Sequence, residues 1–281
     1  MAFIEMSARA KLNLFLHAGP RAEDGYHAIA SLAVFLDLAD RLQVTRVSKG
    51  VSLDISGPFA DAAGNGEGNL VMRAVRAFGA DGLGIKLEKN IPVGGGLGGG
   101  SADAAAILRA LQSLFPGRHT GDELARIALS LGADVPMCLL SQPVFAEGRG
   151  ERLSPAPGLP PLHLLLVNPR VHVATAEVFG ALKHRSGAHV PSHPARFESA
   201  EALATWLLRT RNDLEEPACT IAPVIGDVLA ALRTRNPLHV AMSGSGATCF
   251  AIFADEREVT LAAGQLAALH PSWWITPANA V

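Results

Sequence analysis

The chain of 281 residues is 49% apolar and 18% charged, with a formal net charge of -2 and ten histidines. That composition suits a globular protein with one large domain or two modest ones. Without a run of five or more Lys or Arg it excludes an electrostatic nucleic-acid binder, and without a long apolar run it predicts no transmembrane helix and no membrane partner.

The opening Met1-Ala2-Phe3-Ile4-Glu5-Met6 lacks the basic and apolar regions of a signal peptide. From Ala8 to His17 apolar residues alternate with mostly polar ones, which predicts a half-buried strand ended by turns at Gly19-Pro20 and Asp24-Gly25. Further strands are expected at Ala33–Leu38, Leu42–Val47, Val51–Ile55 and Ile85–Leu87. Asn69 is placed to cap a helix carrying Leu70, Val71, Ala74, Val75 and Phe78 on one face. A second helix is expected from Ser101 to Phe115, and a third from Asp122 to Leu131, stopped by Gly132.

Ser154–Pro161 holds four prolines and reads as a linker between lobes at 1–153 and 162–281. Beyond it come a buried-type strand, Leu162–Val167, and a helix, Ala174–Lys183. Residues 184–195 form a His-, Pro- and Ser-rich exposed loop. Helices near 198–210 and 217–233, strands Leu238–Met242 and Thr248–Phe253, a helix near 256–269 and a strand Trp273–Ile275 complete the chain. The irregular alternation predicts a two-lobed α+β fold. Cys138, Cys219 and Cys249 are scattered and odd in number, which argues for a reducing, cytoplasmic setting and against a zinc site.

Chemistry concentrates in Pro92-Val93-Gly94-Gly95-Gly96-Leu97-Gly98-Gly99-Gly100-Ser101-Ala102-Asp103. Glycine costs backbone entropy and is kept where positive φ or close approach to a ligand demands it. A helix follows at once, and its N-terminal N–H groups and dipole favour an anion. A Walker A loop is excluded, because no Lys follows the glycines. Gly94-x-Gly96-x-x-Gly99 matches the dinucleotide fingerprint, but Glu88-Lys-Asn-Ile-Pro92 is not the buried parallel strand that reading needs, and Asp122 and Glu123 begin a helix.

Four smaller features stand beside this loop. Ser243-Gly-Ser-Gly-Ala-Thr248 is a second small-residue turn between strands. Lys11 and Asn13 share one strand face; singly each suits a solvated position, and together they suit a cleft. Asp134, in Gly132-Ala-Asp134-Val-Pro136, is either a turn residue or an acid held at a cleft edge. His27 follows Tyr26 in a loop.

Taken in order, Ala10-Lys-Leu-Asn-Leu, Asp24-Gly-Tyr-His27, the Pro92–Ala105 loop, Leu131-Gly-Ala-Asp-Val-Pro136, Phe145-Ala-Glu-Gly148, Asn212-Asp-Leu-Glu215 and Met242-Ser-Gly-Ser-Gly246 resemble the GHMP kinase superfamily over nearly the whole chain. That superfamily includes galactokinase, homoserine kinase and mevalonate kinase. The resemblance is to the branch acting on 4-diphosphocytidyl-2-C-methyl-D-erythritol. It implies an N-terminal lobe with a mixed sheet, a C-terminal lobe with an antiparallel sheet, and an active site between them. It implies ATP-dependent phosphorylation of that substrate's 2-hydroxyl in the non-mevalonate route to isoprenoid precursors, with Mg²⁺ as counter-ion and Ser101 as a possible ligand. By the same resemblance Lys11 and Asp134 are the catalytic pair, Pro92–Ala102 bind ATP, and Asn13, Tyr26, His27 and Phe179 lie near the cytidine or erythritol part. A monomer or weak homodimer is expected. Where many relatives carry a second Ser the loop has Ala102, and the His-rich loop at 184–193 has no counterpart.

Overall fold

The computed structural model of the chain describes residues 3–21, 25–182 and 187–281. Asp24 of the expected turn, Lys183 at an expected helix end and residues 184–186 of the His-rich loop lie outside them. The elements are β1 (Phe3–Arg21), β2 (His27–Arg46), β3 (Val51–Ser56), α1 (Ala60–Ala63), α2 (Leu70–Phe78), β4 (Leu83–Glu88), α3 (Gly99–Leu114), α4 (Gly121–Leu131), α5 (Val135–Leu140), β5 (Val144–Gly148) and β6 (Arg152–Pro155). They continue with β7 (His163–Asn168), α6 (Thr175–Gly180), α7 (Ala200–Leu207), α8 (Glu215–Ile221), α9 (Val224–Arg233), β8 (His239–Met242), β9 (Cys249–Phe253), α10 (Glu256–Leu269) and β10 (Trp274–Asn279).

Two compact units interleave along the chain. One comprises Met1–Lys11, Leu38–Val93 and Gly98–Gln142; the other comprises Leu12–Asp37, Gly94–Leu97 and Pro143–Val281. The long strands β1 and β2 and the Gly-rich loop each contribute residues to both.

In the first unit the end of β2 pairs antiparallel with β4, from Arg41↔Glu88 to Arg46↔Leu83, and β3 pairs parallel with β4. The sheet is therefore mixed. Against it the α2–α5 group buries Val71, Ala74, Val75 and Phe78 of α2 and the Ala104–Leu108 run of α3. Asn69 caps α2 as expected, its side chain accepting from Val71 N–H at 2.9 Å. Thr120 and Glu123 form a reciprocal capping box on α4, and Gly132 ends that helix.

Two strands were expected where β2 is one. The polar Ala39-Asp40-Arg41 that separates the apolar runs is not a turn. Asp40 is fully buried and accepts the backbone N–H groups of Asn90 and Ile91, so the strand passes straight through a polar anchor.

In the second unit β2 pairs with β5, Ile29↔Gly148 to Ala33↔Val144, and β5 with β6. A four-stranded sheet, order β10-β7-β9-β8, is antiparallel throughout. Leu165, Val167, Ala251 and Phe253 of that sheet meet Val228 and Leu232 of α9 and Val259 and Leu266 of α10. The expected helix at 217–233 is two, α8 and α9. Ala222 precedes Pro223 and takes φ -132°, ψ 87°, because the proline ring disfavours helical geometry in the residue before it. The strand expected at Trp273–Ile275 runs on to Asn279, while α5 and β5 were not expected. A mixed sheet with helices in one unit and an antiparallel sheet with helices in the other bear out the α+β expectation. No helix among the described residues is long and apolar enough to cross a membrane.

The capping box predicts that Thr120→Ala destabilises the protein by about 1 kcal/mol. Urea titration should show a lower midpoint with an unchanged slope.

Candidate active site

Lys11 and Asp134, far apart in sequence, meet within the first unit at 3.2 Å between Nζ and Oδ2. The lysine side chain is 6% exposed and the aspartate 36%, so the pair is sheltered but open on the carboxylate side. Asp134 stands just ahead of α5, yet its side chain makes no capping bond there. The carboxylate is directed at Lys11 instead. Pro136 in the first turn lacks an N–H and starts α5 without needing the cap.

Gly98 makes room for this pair. It has φ +63°, and a Cβ built on it would lie 2.6 Å from Lys11 Cγ. The lysine stem therefore crosses directly over the loop backbone. Gly98 also opens α3, accepting the first intrahelical bond from Ala102 N–H at 2.8 Å. The N–H groups of Gly99, Gly100 and Ser101 precede that bond and are the anion-binding donors a helix N-terminus offers.

The loop's middle, Gly94–Leu97, belongs to the second unit and packs on the second small-residue turn. Ser243 Oγ donates to Gly96 O at 2.9 Å, and Thr248 N–H donates to Gly95 O at 3.1 Å. A Cβ on Gly96, φ +77°, would lie 2.3 Å from Ser243 O. Asn13 joins the same cluster: its N–H donates to Ser243 Oγ at 3.1 Å, and its Nδ2 donates to Ser31 Oγ at 2.7 Å. Asn13 and Lys11 are both buried, so neither is a solvated strand residue. The structure thus joins the second turn, the loop centre and Asn13 in one hydrogen-bonded unit.

His27 is buried, with its Nδ1 3.0 Å from Gly19 O. A carbonyl only accepts, so Nδ1 carries the proton and Nε2 of the neutral ring is an acceptor. Its ring centroid is 5.4 Å from that of Phe179. Tyr26 is 59% exposed, with the Arg149 guanidinium 4.6 Å over its ring. These residues and Asn13 all belong to the second unit.

The sequence reading gave Asp40 and Lys89 no role and took Asp103 only as the end of the Gly-rich loop. Asp40, Lys89 and Asp103 form a fully buried cluster in which Lys89 Nζ donates to both carboxylates, at 2.7 Å to Asp103. Their spacing in sequence carries no motif; only the unexplained polar residues inside apolar runs hinted at them. Asn212 also went unassigned. Its Nδ2 donates to Met242 O and Gly244 O at 2.8 and 2.7 Å and so braces the second turn. In the His-rich loop, His193 packs on Phe145 at 4.8 Å, and His17 Nδ1–H donates to His189 O. Among the described residues no three His, Cys, Asp or Glu side chains gather as a metal-binding set.

A glycine loop that runs into a helix N-terminus lies beside a buried lysine and its aspartate, an arrangement whose N–H donors and positive charge suit an anion. The family models agree: GHMP kinases N terminal domain matches residues 69–142, and GHMP kinases C terminal matches 195–271. Curated relatives named 4-diphosphocytidyl-2-C-methyl-D-erythritol kinase include that of Cereibacter sphaeroides, 48% identical over 98% of this chain and 98% of its own. The protein of that name from Paramagnetospirillum magneticum is 45% identical over 99% of each chain. A crystal structure of 4-(cytidine 5'-diphospho)-2C-methyl-D-erythritol kinase matches with TM-score 0.77 and 37% identity, covering 99% of this chain and 100% of that one. A homoserine kinase from Cytophaga hutchinsonii, TM-score 0.69 at 18% identity over 100% and 95% of the chains, shares the fold. The chain belongs to the GHMP kinases, and within them to the 4-diphosphocytidyl-2-C-methyl-D-erythritol kinase family.

The crowding at Gly96 yields a paired test. Gly96→Ala forces positive φ and a backbone clash, and should destabilise by roughly 2 kcal/mol or more. Gly264→Ala, on α10 with nothing within 4 Å of the added Cβ, should stabilise by up to about 1 kcal/mol. Thermal unfolding of the two variants should move in opposite directions.

Proposed function

We propose that this chain transfers the γ-phosphoryl group of ATP to the 2-hydroxyl of 4-diphosphocytidyl-2-C-methyl-D-erythritol, releasing ADP, as a cytoplasmic step of non-mevalonate isoprenoid precursor synthesis. The observation that carries this reading is the Lys11–Asp134 pair held over Gly98, where the helix α3 anion site begins.

Phosphoryl transfer has a loose transition state, so positioning and charge stabilisation dominate. Asp134 accepts the hydroxyl proton as the phosphoryl group arrives. Lys11, paired with that carboxylate at 3.2 Å, orients it and draws electron density from the attacking oxygen. Residues Pro92–Ala102 bind ATP, with the N–H groups at the start of α3 facing the phosphate oxygens. When bound, Mg²⁺ would supply further charge neutralisation, and the Ser101 hydroxyl is the hard loop oxygen that would hold it. Asn13, Tyr26, His27 and Phe179 lie near the cytidine or erythritol part. An imidazole with Nε2 as acceptor suits the exocyclic amine of cytosine, and the aromatic rings suit its face. In family terms residues 1–153 carry the N-terminal lobe and 162–281 the C-terminal one, with the matched segments inside them. A monomer or weak homodimer suffices, since every proposed residue comes from one chain.

ADP release is measured with ATP and each acceptor in turn. Turnover is expected with the cytidyl substrate. Turnover with homoserine or mevalonate alone would overturn the proposal. Asp134→Ala should lower kcat by at least about 10²-fold, the low end for losing a general base; a near-normal kcat would remove it from the chemistry. His27→Ala should chiefly raise KM for the cytidyl substrate while KM for ATP holds.

A further inference from the structure

Tyr26 is the only tyrosine in the chain, and it is 59% exposed. A ring that open ordinarily samples several orientations, and a flat ligand that stacks on it must first fix one. Here one is already held. The Arg149 guanidinium lies over the ring at 4.6 Å from its centroid, within the range of a cation–π contact. The exposed remainder of the ring is the surface a ligand can reach.

Both partners stand on anchored backbone of the second unit. Arg21 Nε–H, at the end of β1, donates to Gly25 O at 2.8 Å, one residue ahead of the tyrosine. His27, one residue after it, is buried and opens β2. Arg149 lies in the turn that joins β5 to β6. Gly150 N–H donates to Glu147 O at 3.1 Å and closes that turn. Arg149 N–H donates to Glu151 Oε2 at 2.5 Å. The Glu151 carboxylate folds over Gly148, where φ is +73° and a Cβ would lie 2.3 Å from Oε1. Because β5 pairs with β2 from Ile29↔Gly148 onward, the turn emerges beside the first residues of β2. The ladder therefore delivers Arg149 to Tyr26, although no motif in the sequence links them.

We propose that Arg149 is a positioning residue for the base of the acceptor nucleotide: by stacking on Tyr26 it holds that ring ready to take a pyrimidine against its exposed surface. The ring is then ordered on folding rather than on binding, so removing the guanidinium weakens binding of the cytidyl substrate without touching the chemistry. An exposed cation–π contact corresponds to roughly a two- to fivefold change in affinity. The competing role for the same cation is a direct contact with the diphosphate of that substrate, and a double-mutant cycle separates the two.

This inference rests on the proposed place of Tyr26 near the cytidine or erythritol part, and the experiment tells the two failures apart. kcat and KM for both substrates are measured with the wild type, Arg149→Ala, Tyr26→Ala and the double variant. Arg149→Ala should raise KM for the cytidyl substrate roughly two- to fivefold, with kcat and KM for ATP unchanged. Tyr26→Ala should raise it at least as much, and in that background Arg149→Ala should add nothing. Fully additive effects would mean that Arg149 binds the substrate directly and would overturn the positioning role. A raised KM in Tyr26→Ala beside a normal one in Arg149→Ala would overturn the inference alone. A normal KM in both would overturn the reading of Tyr26 as well. The single tyrosine gives a second measurement. In protein labelled with fluorotyrosine, its one fluorine resonance should shift on adding CDP, and Arg149→Ala should move that resonance before CDP is added. An unmoved resonance in the variant would refute the stacking; no shift with CDP would overturn the base-binding role and the inference with it. If Arg149→Ala does not fold, Arg149→Gln, which removes the charge at similar length, takes its place with the same expectations.

Discussion

Two backbone positions that tolerate no side chain govern the site. Gly98 lets the Lys11 stem run across the loop to Asp134, and Gly96 lets the Ser243–Gly246 turn close on the loop's middle. Both have positive φ. Neither contact can be made longer without moving the pair or the turn, so the glycines act as spacers of zero thickness as well as flexible links. The helix then begins at a fixed place, its first intrahelical bond running from Ala102 N–H to Gly98 O.

Two buried lysines of the first unit, Lys11 and Lys89, differ in how exposed their partners are. Lys11 pairs with a carboxylate that is a third exposed and so open to solvent. Lys89 faces two carboxylates with no access to water. Burying three ionisable groups carries a desolvation cost that a hydrophobic triad of the same volume would not. What the polar cluster provides is direction: Asp40 fixes two backbone N–H groups at the loop entrance, which no apolar side chain can do. Scaffold and reactive chemistry thus use the same charges under different dielectric conditions.

Much of this was legible in the sequence because periodicity and caps report local physics. Asn69 and Gly132 mark helix ends through local backbone physics, within a few residues of where the helices start and stop. The Gly-rich loop was legible because its glycines have no packing explanation. Asp40 was not, since a buried, paired aspartate and an exposed turn aspartate look alike until Lys89 and Asp103 are seen beside it. The split at Pro223 was missed although the proline was in plain view, because apolar spacing on either side stays in phase with one helix. Long-range partners decide these cases, and one chain's sequence does not list them.

The bonds around His27 show how a distant carbonyl can set a preference at a binding surface. Gly19 O can only accept, so it fixes the proton on Nδ1 and leaves Nε2 as an acceptor in the neutral ring. On the proposed reading that acceptor meets the base. Cytosine offers an amine there, where uracil offers a second acceptor. A buried acceptor facing another acceptor loses its hydrogen bond and keeps the desolvation cost, and sites built this way reject the wrong partner more strongly than an apolar pocket does. Protonating His27 would turn Nε2 into a donor and reverse the preference. On the proposed reading, discrimination at the base therefore rests on the ring orientation that the Gly19 carbonyl and the Phe179 ring fix.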